Sequence, residues 1–224
     1  MIPEKILPHK RSAWQPITID GDGVLTASKF AGKPWLKKDE QWPQCPHCNN
    51  YLQFFLQLNL NNLPELLQPE FGTGILQMFY CTNCDYEGWK PFSDVHLIRI
   101  IQPKEGEEQD VEIPGNSFPP KLIVGWQELE DYPNYEEAAE LGVELDDEFF
   151  EENFPISGDK LAGWPFWVQG IEYPNCPICN EKMRLVFQVD SEDNLPFMFG
   201  DVGCGHITQC KNHKNQVGFG WACG

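Results

Sequence analysis

Apolar and polar residues alternate along several short stretches of this chain, which is the pattern of half-buried β-strands. The pattern is clearest over residues 52–60, where leucine and phenylalanine alternate with mostly polar positions. Similar stretches predict further strands at residues 74–80, 95–101, 121–126, 183–190, 205–210 and 217–221. A short helix is predicted at residues 135–141, because Asn134 can cap it, Glu137 follows three residues later and Gly142 can end it. The chain is therefore predicted to be mainly β (α+β).

The strands fall into two similar sets, which indicates an internal repeat. A CxxC pair, Cys45 and Cys48, recurs as Cys176 and Cys179 at a shift of 131 residues. A second pair follows in each set, at a shift of 129: Cys81 with Cys84, and Cys210 with His213. Further matches are residues 31–34 with 162–165, Gln57 with Gln188, and Trp89 with Trp221. We therefore expect two similar β units, related by a pseudo-two-fold repeat around an extended sheet.

The paired cysteines predict metal sites, since zinc takes four soft or borderline ligands in a tetrahedron. The predicted ligands are Cys45, Cys48, Cys81 and Cys84 in one site and Cys176, Cys179, Cys210 and His213 in the other. Four protein ligands leave no open position, so the two zinc ions are expected to be structural. The alternatives are unpaired core cysteines, redox-active pairs and disulfides. Cys204, His206 or Cys223 can replace a ligand in the second site.

The repeat divides the chain into four parts. Residues 1–28 are interpreted as an N-terminal arm, 29–102 as the first zinc-bearing β unit, and 161–224 as the second. Residues 103–160 form an acidic connector, which includes the predicted helix. Both units are expected to share one globular domain.

Charge narrows the range of partners. The formal net charge is −18, with 34 acidic against 16 basic residues. Such a surface repels phosphate backbones, so nucleic acid is not expected, whereas a basic protein is. No apolar run approaches the length of a membrane span and no secretory signal is recognised, so we expect a cytoplasmic protein without a membrane partner.

The expected function is binding. Closed zinc sites argue against catalysis, and the chain has no recognised nucleophile elbow, phosphate loop or HExxH helix. We expect a non-enzymatic, zinc-stabilised protein-interaction module, chaperone-like for a basic client. Gln57 and Gln188 either satisfy polar groups inside the fold or line a groove that holds an extended peptide. The alternative is an enzyme or a toxin- or immunity-related factor with a site in the cleft between the halves.

Two family resemblances follow from the repeated motifs. Residues 43–49 (PQCPHCN) and 174–180 (PNCPICN), with 159–165 (DKLAGWP) and 219–221 (FGW), resemble the YwqG-like family, long described as a domain of unknown function. That resemblance extends from about residue 28 to the last residue. The chain also resembles the programmed-cell-death-protein-two and Tsr-four group. Proteins of that group have a similar Gly-x-Pro segment, followed by a CxxC pair and a later cysteine pair. This second resemblance implies a role in chaperoning ribosomal proteins.

Overall fold

The structure, a computed structural model, describes residues 2–84, 86–145 and 154–224. Its main feature is one antiparallel ten-stranded sheet, and a two-stranded ribbon lies beside it. The strands are β1 Arg11–Asp20, β2 Lys29–Phe30, β3 Leu36–Lys37, β4 Gln53–Asn59, β5 Ile75–Tyr80, β6 His96–Ile101, β7 Glu108–Gln109, β8 Lys121–Asp131, β9 Lys160–Ala162, β10 Arg184–Asp190, β11 Cys204–Gln209 and β12 Val217–Ala222. The predicted mainly-β fold is confirmed.

The strand order shows a two-fold repeat. Across the large sheet the order is β12-β11-β10-β9-β1-β8-β2-β4-β5-β6, and β3 pairs with β7 in the ribbon. Strands β1, β2, β4, β5 and β6 thus correspond to β8, β9, β10, β11 and β12. The two long strands, β1 and β8, pair with each other in the centre. Each also pairs with a strand of the opposite half, because β1 contacts β9 and β8 contacts β2.

This pairing between strands of opposite halves revises the predicted division of the chain into four parts. Residues 1–28 are not a peripheral arm, since β1 lies in the middle of the sheet and β8, from the predicted connector, lies beside it. Ala13 and Trp14 on β1 are buried, and Pro16 is tolerated opposite Trp126. Each half therefore begins with a long strand, and the two halves form one sheet.

The sheet curls until its two edges nearly meet. Strand β12 lies next to β6, and the Trp221 N–H donates to the carbonyl of Trp89 in the loop before β6 at 3.2 Å. Glycine makes this approach possible, because a Cβ on Gly218 would lie only 2.8 Å from the ring of Phe92. Rings from both halves fill the interior, among them Phe30, Phe55, Phe187, Phe199 and Phe219.

The helices are short. They are a 3-10 helix at Glu4–His9, a second at Leu60–Asn62, and α-helices α1 Gln68–Phe71 and α2 Tyr135–Glu140. Helix α2 is the predicted one, and its cap is the predicted cap: the Asn134 side chain accepts a hydrogen bond from the Glu137 N–H at 2.8 Å. Residues 146–153, within the predicted acidic connector, lie outside the described residues. The described part of the chain contains no helix with the length and apolar content needed to cross a bilayer.

Candidate metal centres

Each CxxC pair lies on the same tight turn. In the first half the Asn49 N–H donates to the Cys45 carbonyl at 2.9 Å, and in the second the Asn180 N–H donates to the Cys176 carbonyl at 2.8 Å. Both asparagines have a left-handed backbone, with φ of 57° and 59°. Asparagine tolerates that conformation better than most side chains. The repeated CxxCN motif therefore encodes a turn that directs both sulfurs to one side.

The first ligand group contains the four predicted cysteines. Its sulfur atoms are 3.7 Å apart for Cys45 and Cys84, 3.6 Å for Cys48 and Cys81, and 3.5 Å for Cys81 and Cys84. All four ligand atoms lie within 4.8 Å of one another. Cys45 and Cys81 are buried, whereas Cys48 and Cys84 are half-buried. Strand β5 leads directly into Cys81, which explains how a hairpin fits between the two pairs.

The second group contains Cys176, Cys179, Cys210 and His213. The sulfurs of Cys179 and Cys210 are 3.6 Å apart. The His213 Nδ1 atom is 3.8 Å from the Cys176 sulfur and 3.7 Å from the Cys210 sulfur. Backbone N–H groups point at two of these sulfurs, that of Ile178 at Cys176 (3.4 Å) and that of His213 at Cys210 (3.3 Å).

These distances fit a tetrahedral metal ion. A metal with sulfur ligands at about 2.3 Å holds its sulfurs about 3.8 Å apart, and a disulfide would bring them to about 2 Å. The observed separations match the first value and exclude sulfur–sulfur bonds within either group. Each half of the molecule therefore has a group of four side chains that can hold a metal ion.

Neighbouring groups shift the acidity of single thiols within both centres. A backbone hydrogen bond from Asn50 lowers the pKa of the Cys48 thiol to about 6. Burial opposes ionisation of Cys176, but backbone N–H groups of Cys179 and Ile178 lower its pKa to about 6. Burial raises the pKa of Cys81. Each group thus contains one thiol whose lowered pKa favours the thiolate, which is the form that binds metal.

The three alternative ligands of the second site lie elsewhere. Cys204 and His206 project from β11 beside one another, with the Cys204 sulfur 3.7 Å from the His206 Nε2 atom, and both are buried. Cys223 lies against Gly200, where a Cβ would come within 2.6 Å of its sulfur. Neither group is part of the second ligand set.

Gln57 and Gln188 bind the chain's own backbone. Both are fully buried. Gln57 accepts from the Trp35 N–H at 3.0 Å and donates to the carbonyls of Leu25 and Ala27. Gln188 makes the equivalent bonds with Phe166, Ile156 and Gly158. Neither side chain lines an open groove, so the structure corrects the peptide-groove interpretation: the amides anchor a loop across the strands.

A lysine–aspartate pair lies beside each glutamine. Lys160 and Asp131 are fully buried with 2.9 Å between Nζ and Oδ2, and Asp131 also accepts the Trp164 N–H. The counterpart in the first half is Lys29 with Asp22, at 2.6 Å, and Asp22 accepts the Lys33 N–H. Sequence analysis missed both pairs, although the matching Lys29 and Lys160 precede the repeated Ala-Gly-x-Pro segment.

Fold and site together define a mainly-β protein with an internal repeat and one metal-ligand group in each half. The family can be stated as well: the model described as "Domain of unknown function (DUF1963)" matches residues 28–215, so the chain belongs to that family. The match confirms the expectation of a domain of unknown function. The resemblance to the programmed-cell-death-protein-two and Tsr-four group stays a prediction. None of the curated proteins compared with the chain matches it.

Proposed function

We propose that this protein is a non-enzymatic binding module, stabilised by two structural zinc ions, that holds a basic protein partner. Zinc fits because three or four thiolates, completed in one group by an imidazole, are its usual structural ligands. The residues that would hold the ions are Cys45, Cys48, Cys81 and Cys84, and Cys176, Cys179, Cys210 and His213. Bound zinc would connect the CxxC turn to the later pair in each half and add to the free energy of unfolding.

The observation that carries the proposal is the excess of acidic side chains. Many of the basic side chains already form ion pairs within the chain, such as Lys10 with Glu130 and Lys33 with Asp110. The acids outnumber the bases by 34 to 16, so exposed acids are left over. Among them are Glu108, Glu112 and Glu128. A surface of this kind attracts cationic partners and repels nucleic acids.

The alternative, an enzyme with a site between the halves, has weaker support. Outside the two ligand groups, the described cysteine with an adjacent histidine is Cys204, which is 1% exposed and whose pKa is raised well above its ordinary value by burial. Burial and the nearby Lys160 lower the pKa of His206, the adjacent base, to about 3. A thiol of this kind resists ionisation, and an imidazole of this kind is a poor base at neutral pH. Binding is therefore the better-supported function.

The proposed zinc ligands also bear on the cellular compartment. Zinc–thiolate groups need reduced cysteines, so a cytoplasmic location is part of the proposal. A ribosomal protein is one class of basic client that the second resemblance implies.

The test is titration calorimetry with a synthetic peptide rich in lysine and arginine, and with a matched peptide in which glutamine replaces every basic residue. We expect the basic peptide to bind and to weaken steadily as salt increases, because the surface charges are screened. The glutamine peptide should not bind. Equal binding of the two peptides, or binding of the basic peptide that is insensitive to salt, would overturn the proposal.

A further inference from the structure

The two halves differ on the outer side of their last two strands. The hydrogen-bonded registers pair Gln77 with Arg99 in the first half and His206 with Gly220 in the second. Because Cys81 corresponds to Cys210, Gln77 corresponds to His206, and Arg99 to Gly220. The same correspondence aligns Phe79 with Thr208 and Leu97 with Gly218. Three large side chains of the first half are therefore replaced by three small residues in the second.

In the first half an arginine fills this place. The Arg99 Nε donates to the Gln77 Oε1 at 2.9 Å, and its Nη1 donates to the Glu40 Oε1 at 2.5 Å. Its guanidinium lies over the Phe79 ring, with Cζ 5.8 Å from the ring centroid. An amide oxygen, a carboxylate and an aromatic face thus hold one guanidinium, which is the recognition that this planar cation favours.

In the second half the loop before β6 covers these positions, because a Cβ on Gly220 would lie 3.0 Å from the Trp89 carbonyl oxygen and one on Gly218 would lie 2.8 Å from the Phe92 ring. A pocket of about 270 Å³ remains beside that loop. His206, Thr208 and Gly220 lie on its sheet side, and Trp167, Glu172 and Trp89 are among the residues around it. Trp167 packs against His206, with ring centroids 4.5 Å apart, and against Tyr173, with centroids 4.9 Å apart. Loops from both halves enclose the pocket, because Trp89 belongs to the segment after Cys84 and Glu172 precedes Cys176.

Polar groups of the pocket without a hydrogen-bond partner among the described residues include the Thr208 hydroxyl and the Trp167 indole N–H. Thr208 is 2% exposed, and its hydroxyl makes no hydrogen bond there. Glu172 is exposed at the pocket and forms no ion pair within the described chain. Partial burial of its carboxyl group raises the pKa of that group. A buried hydroxyl without a partner costs free energy, which a ligand that hydrogen-bonds to it recovers.

The charges around the pocket suit a cation. Lys90 also lines it, but its ammonium is bound to Glu87 at 2.5 Å. His206 is neutral at physiological pH because its pKa is about 3. Of Lys90, His206 and Glu172, Glu172 therefore carries the charge that is not compensated, and that charge is negative.

We propose that this pocket binds the guanidinium of an arginine side chain from the basic partner, beside the strand position that corresponds to Arg99 of the first half. The guanidinium would stack against the indole rings, donate to the Thr208 hydroxyl and face the Glu172 carboxylate. This inference rests on the proposed function, and it identifies the residue of the partner that is recognised.

The test uses a short neutral peptide with a single central arginine and a second peptide in which citrulline, which has the same shape but no charge, replaces that arginine. Binding is followed by NMR through the indole N–H signals and is quantified by titration calorimetry. We expect the arginine peptide to bind and to shift the indole signals of Trp89 and Trp167. The citrulline peptide should bind about tenfold more weakly, since it lacks the cation–π attraction and the charge-assisted hydrogen bonds.

Three variants locate the site. Glu172→Gln should weaken binding of the arginine peptide about threefold, the size of one exposed ion pair. Thr208→Val should weaken it about fivefold through loss of one hydrogen bond. Glu65→Gln is the matched control, because Glu65 is also exposed, lies outside the pocket and loses the same charge, so binding should not change. Glu172 is exposed, so its variant should fold even where Thr208→Val does not.

The outcomes separate this inference from the proposed function. If the lysine- and arginine-rich peptide binds with salt dependence but the arginine and citrulline peptides bind alike, the pocket assignment is wrong and the proposed function stands. Equal weakening by Glu172→Gln and Glu65→Gln would also overturn the pocket assignment, because the attraction would then be a general surface effect. If neither the basic peptide nor the single-arginine peptide binds, both proposals fail.

Discussion

The two halves of this protein share a scaffold but differ in how they complete it. Each has a CxxC turn, a lysine–aspartate pair with a fully buried lysine, and a buried glutamine that binds the backbone of the equivalent loop. The first half then closes its outer face with Phe79, Leu97 and Arg99. In the second half a loop from the first half covers the equivalent positions, and a pocket remains with this loop as one of its walls.

Features that the two halves share are expected to serve stability, whereas features in which they differ are expected to serve recognition. The elements that repeat are the metal ligands and the buried polar anchors, which we expect to stabilise the fold. The pocket is among the features that do not repeat, and a function specific to this molecule is expected there. The following predictions test how far the equivalence of the two halves extends.

Removing metal should have the largest effect. Structural zinc contributes folding free energy directly, so stripping it with a strong chelator should lower the free energy of unfolding by several kcal/mol. Chemical denaturation with and without chelator measures the change. Cys223→Ser is the control, because Cys223 belongs to neither ligand group and should leave both stability and chelator sensitivity unaltered. A chelator without effect on folded protein would contradict the structural role.

The buried ion pairs should differ between the halves. Asp131→Ala leaves Lys160 as an unpaired, fully buried charge and should cost about 3–5 kcal/mol. Asp22→Ala should cost less, about 1–3 kcal/mol, since the Asp22 side chain is 31% exposed and water can reach it. Denaturant unfolding of the two variants gives both values. Equal costs would show that burial does not distinguish the pairs.

Stability should depend on pH through the second half. Asp159 is buried beside Asp193, and burial raises its pKa to about 7, whereas its counterpart in the first half is Ser28. Because the folded state favours the neutral acid, the stabilisation is full below the ordinary pKa of 3.8 and is lost as the pH rises through about 7. Asp159→Asn should remove this contribution to the pH dependence of the free energy of unfolding between about pH 4 and 7.

The readout for Asp159 is the free energy of unfolding across that pH range for both proteins. Metal release at acidic pH affects wild type and variant alike, so the difference between their two profiles isolates Asp159. Parallel profiles would contradict the raised pKa.

The two glutamine variants should have effects as small as that of Asp22→Ala. Gln57→Leu and Gln188→Leu each leave buried backbone groups without partners and should cost about 1–3 kcal/mol. The cost should be somewhat higher for Gln57, whose Oε1 also accepts from Gln77 at 3.0 Å. Parallel denaturation curves measure both. A variant with wild-type stability would show that its amide is not an anchor.

Much of the fold could be predicted from the sequence because local pattern and motif determine it. The strands over residues 53–59 and 184–190, the cap at Asn134 and both ligand groups follow from alternation and spacing. Strand β1 was missed. Its Pro16 and its partly exposed Ile17 and Ile19 give no clear alternation, and its place comes from pairing with residues more than a hundred positions away.

The pocket was beyond sequence reasoning for a related reason. Alignment by shift alone matches Trp221 with Trp89, but the strand registers pair Trp221 with Gly205 and Ile100 with Leu76, so Trp221 corresponds to Ile100. Trp89 belongs to a loop that the second half lacks. Only the hydrogen-bonded register shows that Gly220 takes the position of Arg99.

The most direct test of this account is elemental analysis of zinc per chain, on protein purified without added metal, for the wild type and for Cys45→Ser and Cys210→Ser. Two closed and independent centres predict two zinc ions in the wild type and one in each variant. Well-folded protein without metal, or loss of both ions from either single variant, would contradict the account.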